Sequence, residues 1–151
     1  MAKFFKYTDQ QFLPVSPEVL FDFFSVPANL SKITPPETAF QVVESSKERI
    51  EQGVVLKYKL HQFGIPVFWV AKIEEWVPCQ YFIDVQMSGP FAEYRHKHSL
   101  QQVEGGTLIL DELEYRLPLG FLGALFGNFW VRRMLKKTFE FRKLRMEQLF
   151  A

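Results

Sequence analysis

From Phe40 to Pro118 apolar and polar residues alternate in short runs broken by glycine and proline. That period of two belongs to strands, not helices. Phe40–Ser45 is the first run; Gly53 opens Val54–His61, and Gly64-Ile65-Pro66 turns into Val67–Trp76. Pro78-Cys79 breaks the chain before Tyr81–Met87, and Ser88-Gly89-Pro90 leads into Phe91–Val103. Glu104-Gly105-Gly106-Thr107 is the clearest hairpin signal, and its partner strand ends at Pro118. Ahead of these, Phe4 to Val15 predicts a strand stopped by Pro14. Ser16-Pro17-Glu18 then predicts a helix start, with serine capping, proline in the first turn and an acid beside the helix dipole. Pro27 ends that helix and opens a short second one over Ala28–Lys32, which Thr34-Pro35-Pro36 forbids from continuing.

The tail is different. Leu119 to Phe129 carries no charge and sets Gly120, Gly123 and Gly127 among phenylalanines and leucines, as a connection or a gate would. From Trp130 onward there is neither glycine nor proline. Val131, Met134, Leu135, Thr138, Phe141 and Leu149 share one side of a helix, opposite Arg132, Lys136, Glu140, Lys143 and Glu147. One strand, two short helices, about six more strands and a long terminal helix predict an α+β fold, a curved antiparallel sheet wrapped on that helix, with residues 1–151 as a single domain. Seventeen phenylalanines in 151 residues suit a bulky enclosed interior or a cavity wall.

Charge narrows the partners. The net charge of +1 argues against nucleic acid. Residues 130–151 nevertheless hold seven bases against two acids, and the rest eleven against fifteen. An exposed helix face accounts for the basic tail, and attraction to an anionic ligand or membrane surface is the lesser alternative. Lys3 and Lys6 interrupt the start with no long apolar run after them, and no stretch nears the roughly 20 apolar residues a bilayer requires. A single cysteine, Cys79, excludes an intrachain disulfide. A cytoplasmic protein is expected.

The candidate chemistry lies on one face of two strands. Tyr94, His96, His98 and Leu100 alternate in the first; Thr107, Ile109, Asp111, Leu113, Tyr115 and Leu117 alternate in the second. A two-residue Gly105-Gly106 turn places Leu100 opposite Asp111 and His98 opposite Leu113, so that His98 and Asp111 meet diagonally. Three readings compete for His96, His98 and Asp111: a satisfied buried network, an anchor orienting a ligand, and a general acid/base pair, His98 with Asp111. A metal is not expected, since only Asp84 or Asp111 is available as a third ligand. No cofactor fingerprint or nucleophile motif is present. Strand phase adds Tyr58 and Trp69 to the wall. A two-residue Pro78-Cys79 turn adds Asp84 and Gln86, although Tyr81, Ile83, Val85 and Met87 make that strand's more apolar face. On the terminal helix, Phe139 belongs to the packed face, and Arg142 at its edge either points inward to a carboxylate or snorkels to water.

The order of these pieces resembles the Bet v1-like helix-grip fold of the START/polyketide-cyclase superfamily, and most closely its small bacterial ligand-binding SRPBCC members. Ser16-Pro17-Glu18-Val19-Leu20-Phe21, Asn29-Leu30, Ile33-Thr34-Pro35-Pro36 and Gly89-Pro90-Phe91 before Tyr94-x-His96-x-His98 carry the resemblance. Gly105-Gly106-Thr107, Leu117-Pro118-Leu119-Gly120 and Phe139-x-Phe141-Arg142 continue it over nearly the whole chain. It implies a hydrophobic cavity between sheet and helix, with a hydrophobic small molecule as partner; alternation and helix phase put Tyr94, Tyr115 and Phe139 on its wall. It does not imply one reaction, because the superfamily spans binders, carriers and enzymes. Tyr94 stands where tryptophan is usual and Leu100 where phenylalanine is usual, so pocket shape does not transfer. Binding of a hydrophobic or amphipathic small molecule is the first expectation. A cofactor-free cyclase, dehydratase or isomerase is the alternative, and a lipid-surface module the third. Ligand identity and oligomeric state are not encoded in any motif.

Overall fold

Pro14 lacks an amide donor, and β1 (Phe4–Leu13) stops just before it. Ser16 caps the next helix by accepting the Val19 amide, with Pro17 in the first turn of α1 (Pro17–Phe24). The chain is described here by a computed structural model covering residues 3–62 and 64–151, with all their side chains except those at 121, 122, 125 and 126. Pro27 and Pro36 each open a short 3-10 turn, Pro27–Ile33 and Pro36–Thr38, before the sheet begins. Six strands follow: β2 (Gln41–Ser45), β3 (Val55–Gln62), β4 (Ile65–Val77), β5 (Tyr81–Ser88), β6 (Glu93–Val103) and β7 (Gly106–Arg116). α2 (Gly120–Phe150) closes the chain. All neighbours are antiparallel in the order β1-β7-β6-β5-β4-β3-β2, and the long helix lies against this sheet. This is the α+β helix-grip architecture. Among the described residues no helix is long and apolar enough to cross a membrane.

Three polar ties hold α2 to β1. Gln11 donates to the Lys143 carbonyl at 2.7 Å, Lys143 meets Asp9 at 3.3 Å, and Arg132 donates to the Lys6 carbonyl at 2.9 Å. The grip's apolar contact comes from Leu135, Phe139 and Met146, all buried. Two core clusters lie under the helices, and a third, of Ile50, Val54, Leu56 and Ile73, lies toward the β2–β4 side of the sheet. α1 plugs one end, where Leu13, Leu20, Phe21, Phe24, Ile33 and Phe82 pack together; Phe91, Leu113, Tyr115, Leu135 and Phe139 form the other.

Three local expectations are corrected. The β6–β7 turn is Glu104-Gly105, with Val103 opposite Gly106, not Gly105-Gly106. Gly105 supplies the left-handed turn conformation (φ +82°). Gly106 is glycine for another reason: a Cβ there would stand 2.1 Å from the Leu13 carbonyl oxygen of the neighbouring strand. The register moves by two residues, so the shared face survives and His98 lies directly opposite Asp111. The second correction concerns Leu119–Phe129, which is helical from Gly120 on. Gly123 allows the first turn of α2 to pack on Pro118, whose carbonyl oxygen would be 1.9 Å from an added Cβ. The alternative of a gate there rests partly on Phe121, Leu122, Leu125 and Phe126, whose side chains lie outside the described residues.

The third correction is at β4–β5, where Val77 pairs with Tyr81 across a three-residue turn, not two. The longer turn alone would reverse the expected phase. A bulge at Glu74, between the Ile73–Asp84 and Glu75–Ile83 pairs, reverses it again. Asp84 therefore ends opposite Ile73, on the inner face.

Candidate functional site

Strand register brings four ionisable groups together on that inner face. Asp84 of β5 stands opposite His96 of β6, and His98 of β6 opposite Asp111 of β7. Their side chains bond along the diagonals as well. His98 Nε2 is 2.6 Å from Asp84 Oδ2, and His96 Nε2 is 2.7 Å from Asp111 Oδ1. His98 Nδ1 lies 3.2 Å from the same Asp111 oxygen. The result is a chain of alternating acid and base: Asp84, His98, Asp111, His96. His96, His98 and Asp111 are buried.

The rings are stacked as well as bonded. Phe82 and His98 lie parallel, 12° apart with centroids at 4.1 Å, and His96 stacks on His98 at 3.6 Å and 24°. Phe139 closes the column edge-on against His96 at 5.9 Å. The face of Phe82 favours a cationic His98.

Protonation follows from who bonds whom. Burial alone would lower the His98 pKa, but the Asp111 and Asp84 carboxylates overturn it and hold the imidazolium above its ordinary value. Burial and then the His98 charge push His96 down to about 4, against the pull of Asp111. Burial would raise Asp84 and Asp111; hydrogen bonds from the imidazoles win and lower both. His98 therefore keeps its proton to higher pH than His96 does, and both carboxylates favour their ionised forms. The metal-ligating atoms of Asp84, His96 and His98 lie within 4.8 Å of one another. Because the two ring planes are nearly parallel, no nearby point lies in both, and a single ion could not meet both nitrogen lone pairs end-on. The donor set suits hydrogen bonding better than a shared metal.

Beside this relay is a cavity of about 170 Å³ between sheet and α2. Tyr58, Trp69, Asp84, Tyr94, His96, His98 and Arg142 line it, all of them residues expected from the sequence. Four other expected wall residues are placed elsewhere. Gln86 is committed to the 88–91 turn, donating to the Phe91 carbonyl at 2.8 Å and accepting the Phe91 amide at 3.1 Å. Tyr115 is fully buried and donates to Asn128 at 2.6 Å. Phe139 packs between Tyr7 and His96, and Asp111 bonds both imidazoles without joining the cavity lining.

Arg142 faces inward, its guanidinium 5.2 Å from the Phe139 ring centre, with a buried Nε that has no partner among the described residues. Burial, then Asp84, raises the phenol pKa of both Tyr58 and Tyr94, keeping them protonated donors. Thr34, Thr38 and Phe40 were missed, because nothing in an irregular proline-rich segment shows which way a side chain points. Met134 and Thr138 were assigned to the packed face. A threonine on that stripe four residues before Arg142 was the available signal that the stripe borders a space.

A second, wider space of about 540 Å³ adjoins the first. Thr38, Gln62, Met134 and Thr138 line both and so form the neck between them. Its outer wall carries His61, Trp130, Arg133 and Lys137, and Lys137 meets Glu37 at 3.2 Å.

A sheet curled on a terminal helix around a polar-fitted cavity defines the helix-grip, Bet v1-like class. Comparison with known proteins agrees. The sequence profile for polyketide cyclase / dehydrase and lipid transport matches residues 13–141, and the chain belongs to that family. Among solved structures it is similar to major latex-like protein 151 of Panax ginseng (13% identity, TM-score 0.72, 98% of each chain covered). It is also similar to a protein of Thermus thermophilus (18%, 0.71, 95% of this chain and 94% of that one). A third is Ara h 8.0201 (17%, 0.69, 97% of each). At these identities the likeness is one of fold. No curated protein sequence matches the chain.

Proposed function

We propose that the chain binds a hydrophobic or amphipathic small molecule between the sheet and α2. The observation that carries this is the cavity itself, with aromatic walls from Tyr58, Trp69 and Tyr94 and a guanidinium nitrogen, Arg142 Nε, that has no partner among the described residues. Ligand sites are apolar hollows with a few fixed polar groups. The polar chain from Asp84 to His96 sets those groups, with Asp111 holding both imidazoles from behind. Trp69 on the wall provides the readout. Titration with 1-naphthol should change its fluorescence saturably, and Thr138→Trp, which fills the neck side of the cavity, should abolish the change while the fold is kept. A titration that never saturates, or one that Thr138→Trp leaves untouched, removes the proposal.

One observation favours a second reading, cofactor-free proton transfer of the cyclase, dehydratase or isomerase kind. His96 has Asp111 on one ring nitrogen and, among the described residues, no bonded partner on the other. His98, with carboxylates near both nitrogens, is less free to act. A base held at about 4 is poorly matched to neutral pH, however. Binding therefore remains the first reading.

A further inference from the structure

The inner cavity is too small to hold a typical ligand alone. About 170 Å³ is close to the roughly 150 Å³ of an engineered protein cavity that takes up benzene, whereas ligand pockets usually run to about 300–1,000 Å³. The adjoining vestibule is three times larger and different in character. Its wall offers two cations on successive turns of α2, Arg133 and Lys137, against one acid, Glu37. Arg133 makes no ion pair among the described residues, and Lys137 shares Glu37 in an exposed contact that water weakens. Across from them His61 Nδ1 is buried with no hydrogen-bond partner among the described residues, an atom that a ligand could satisfy. Trp130, 55% exposed, supplies an apolar flank.

We propose that the ligand is bipartite: an apolar end about the size of one aromatic ring or a short alkyl chain fills the inner cavity, and an anionic oxygen head, carboxylate or phosphate, sits in the vestibule against Arg133 and Lys137. This rests on the binding reading above and adds an orientation, tail past the neck and head toward α2's basic stripe. The opposite orientation would put the anion on Arg142 beside Asp84. There the Asp84 carboxylate already stands close to Arg142 on the same wall, and a second anion would be buried beside it.

Calorimetric titration with 1-octanol, octanoate and octyl phosphate tests this. All three should bind, the two anions about ten-fold or more tighter than the alcohol at low salt, as expected of charge-assisted hydrogen bonds. That preference should shrink at roughly 0.5 M sodium chloride and fall to near unity in the Arg133→Gln/Lys137→Gln double variant, with octanol affinity unchanged. Lys137→Arg should keep it. Both sites are exposed, and thermal melts confirm that the variants fold. Equal binding of alcohol and anions would overturn the head-group assignment while leaving cavity binding intact. So would a preference that survives in the double variant, or one abolished by Arg142→Gln alone. Failure of all three probes to bind would remove both proposals.

Discussion

The two ends of this interior share strands β5 and β6 and differ in what faces them. At the plugged end β1, β5, β6 and β7 present Leu13, Phe82, Leu100 and Ile109, and α1 inserts Leu20, Phe21 and Phe24 among them. Phe21 meets Trp76 at 4.4 Å and the edge of Phe82 at 5.8 Å, so rings interlock with little space left. At the hollow end β5 and β6 present Asp84, His96 and Tyr94, β3 and β4 add Tyr58 and Trp69, and α2 offers Met134, Thr138 and Arg142. The boundary runs between Phe82 and His98, whose rings stack, with Phe24 also against His98 at 6.5 Å. On one side of that pair a side chain is valued for volume, and on the other for what it leaves open.

The largest expected effect lies on the solid side. Phe82→Ala should destabilise the protein by about 4 kcal/mol, since it removes a buried ring and leaves a void among side chains that cannot collapse into it. Equilibrium urea unfolding reads this, and a loss below about 2 kcal/mol would show that the plugged end is as loose as the hollow one. The relay comes next. His96 is held at about 4 against its ordinary 6.5, so between those values the unfolded chain binds more protons than the folded one. Stability should therefore fall as pH drops from about 6.5 to about 4, by on the order of 3 kcal/mol. Asp84 and Asp111, both lowered, add a further loss below that. His98 acts in the opposite direction: its contribution is complete below about 6.5 and disappears as pH rises through its raised folded pKa. His96→Asn should flatten the slope between pH 6.5 and 4 while leaving the alkaline limb in place. Unfolding midpoints across that range would expose an error if the slope stays. The smallest effect belongs to Trp69→Ala. Its ring borders a space already, so the loss should stay near 1–2 kcal/mol, below the usual range for a buried aromatic. Affinity for an apolar probe should fall about ten-fold.

Periodicity carried most of the fold. Seven strand runs, the Ser16 cap and the charged stripe of α2 are local patterns, and each appears within a few residues of its place; Ile65 and Pro66, expected as a turn, are instead paired in β4 with Gln62 and His61. Glycine was the weak point, because it has two uses that look alike in a sequence. Gly105 turns the chain, whereas Gly106 and Gly123 make room for a neighbour's backbone, a fact about residues that are distant or not yet folded into contact. The site was legible to the extent that alternation makes faces. His96, His98 and Asp111 share one because any even change in turn length preserves it. Which acid holds which imidazole was not legible, because side chains reach diagonally and the Asp84–His98 bond crosses between strands. Gln86 shows the same limit. Its phase is that of Asp84, but a nearby turn with unpaired backbone groups claims its amide.

The paired irregularities of the β4–β5 hairpin make its length part of the chemistry. Deleting Gln80 while the Glu74 bulge remains would rotate every residue of β5 to the opposite side, turning the Asp84 carboxylate away from the imidazoles and Ile83 toward them. A one-residue trim at an exposed corner, ordinarily harmless, would here strip His98 of a counter-ion without touching either partner.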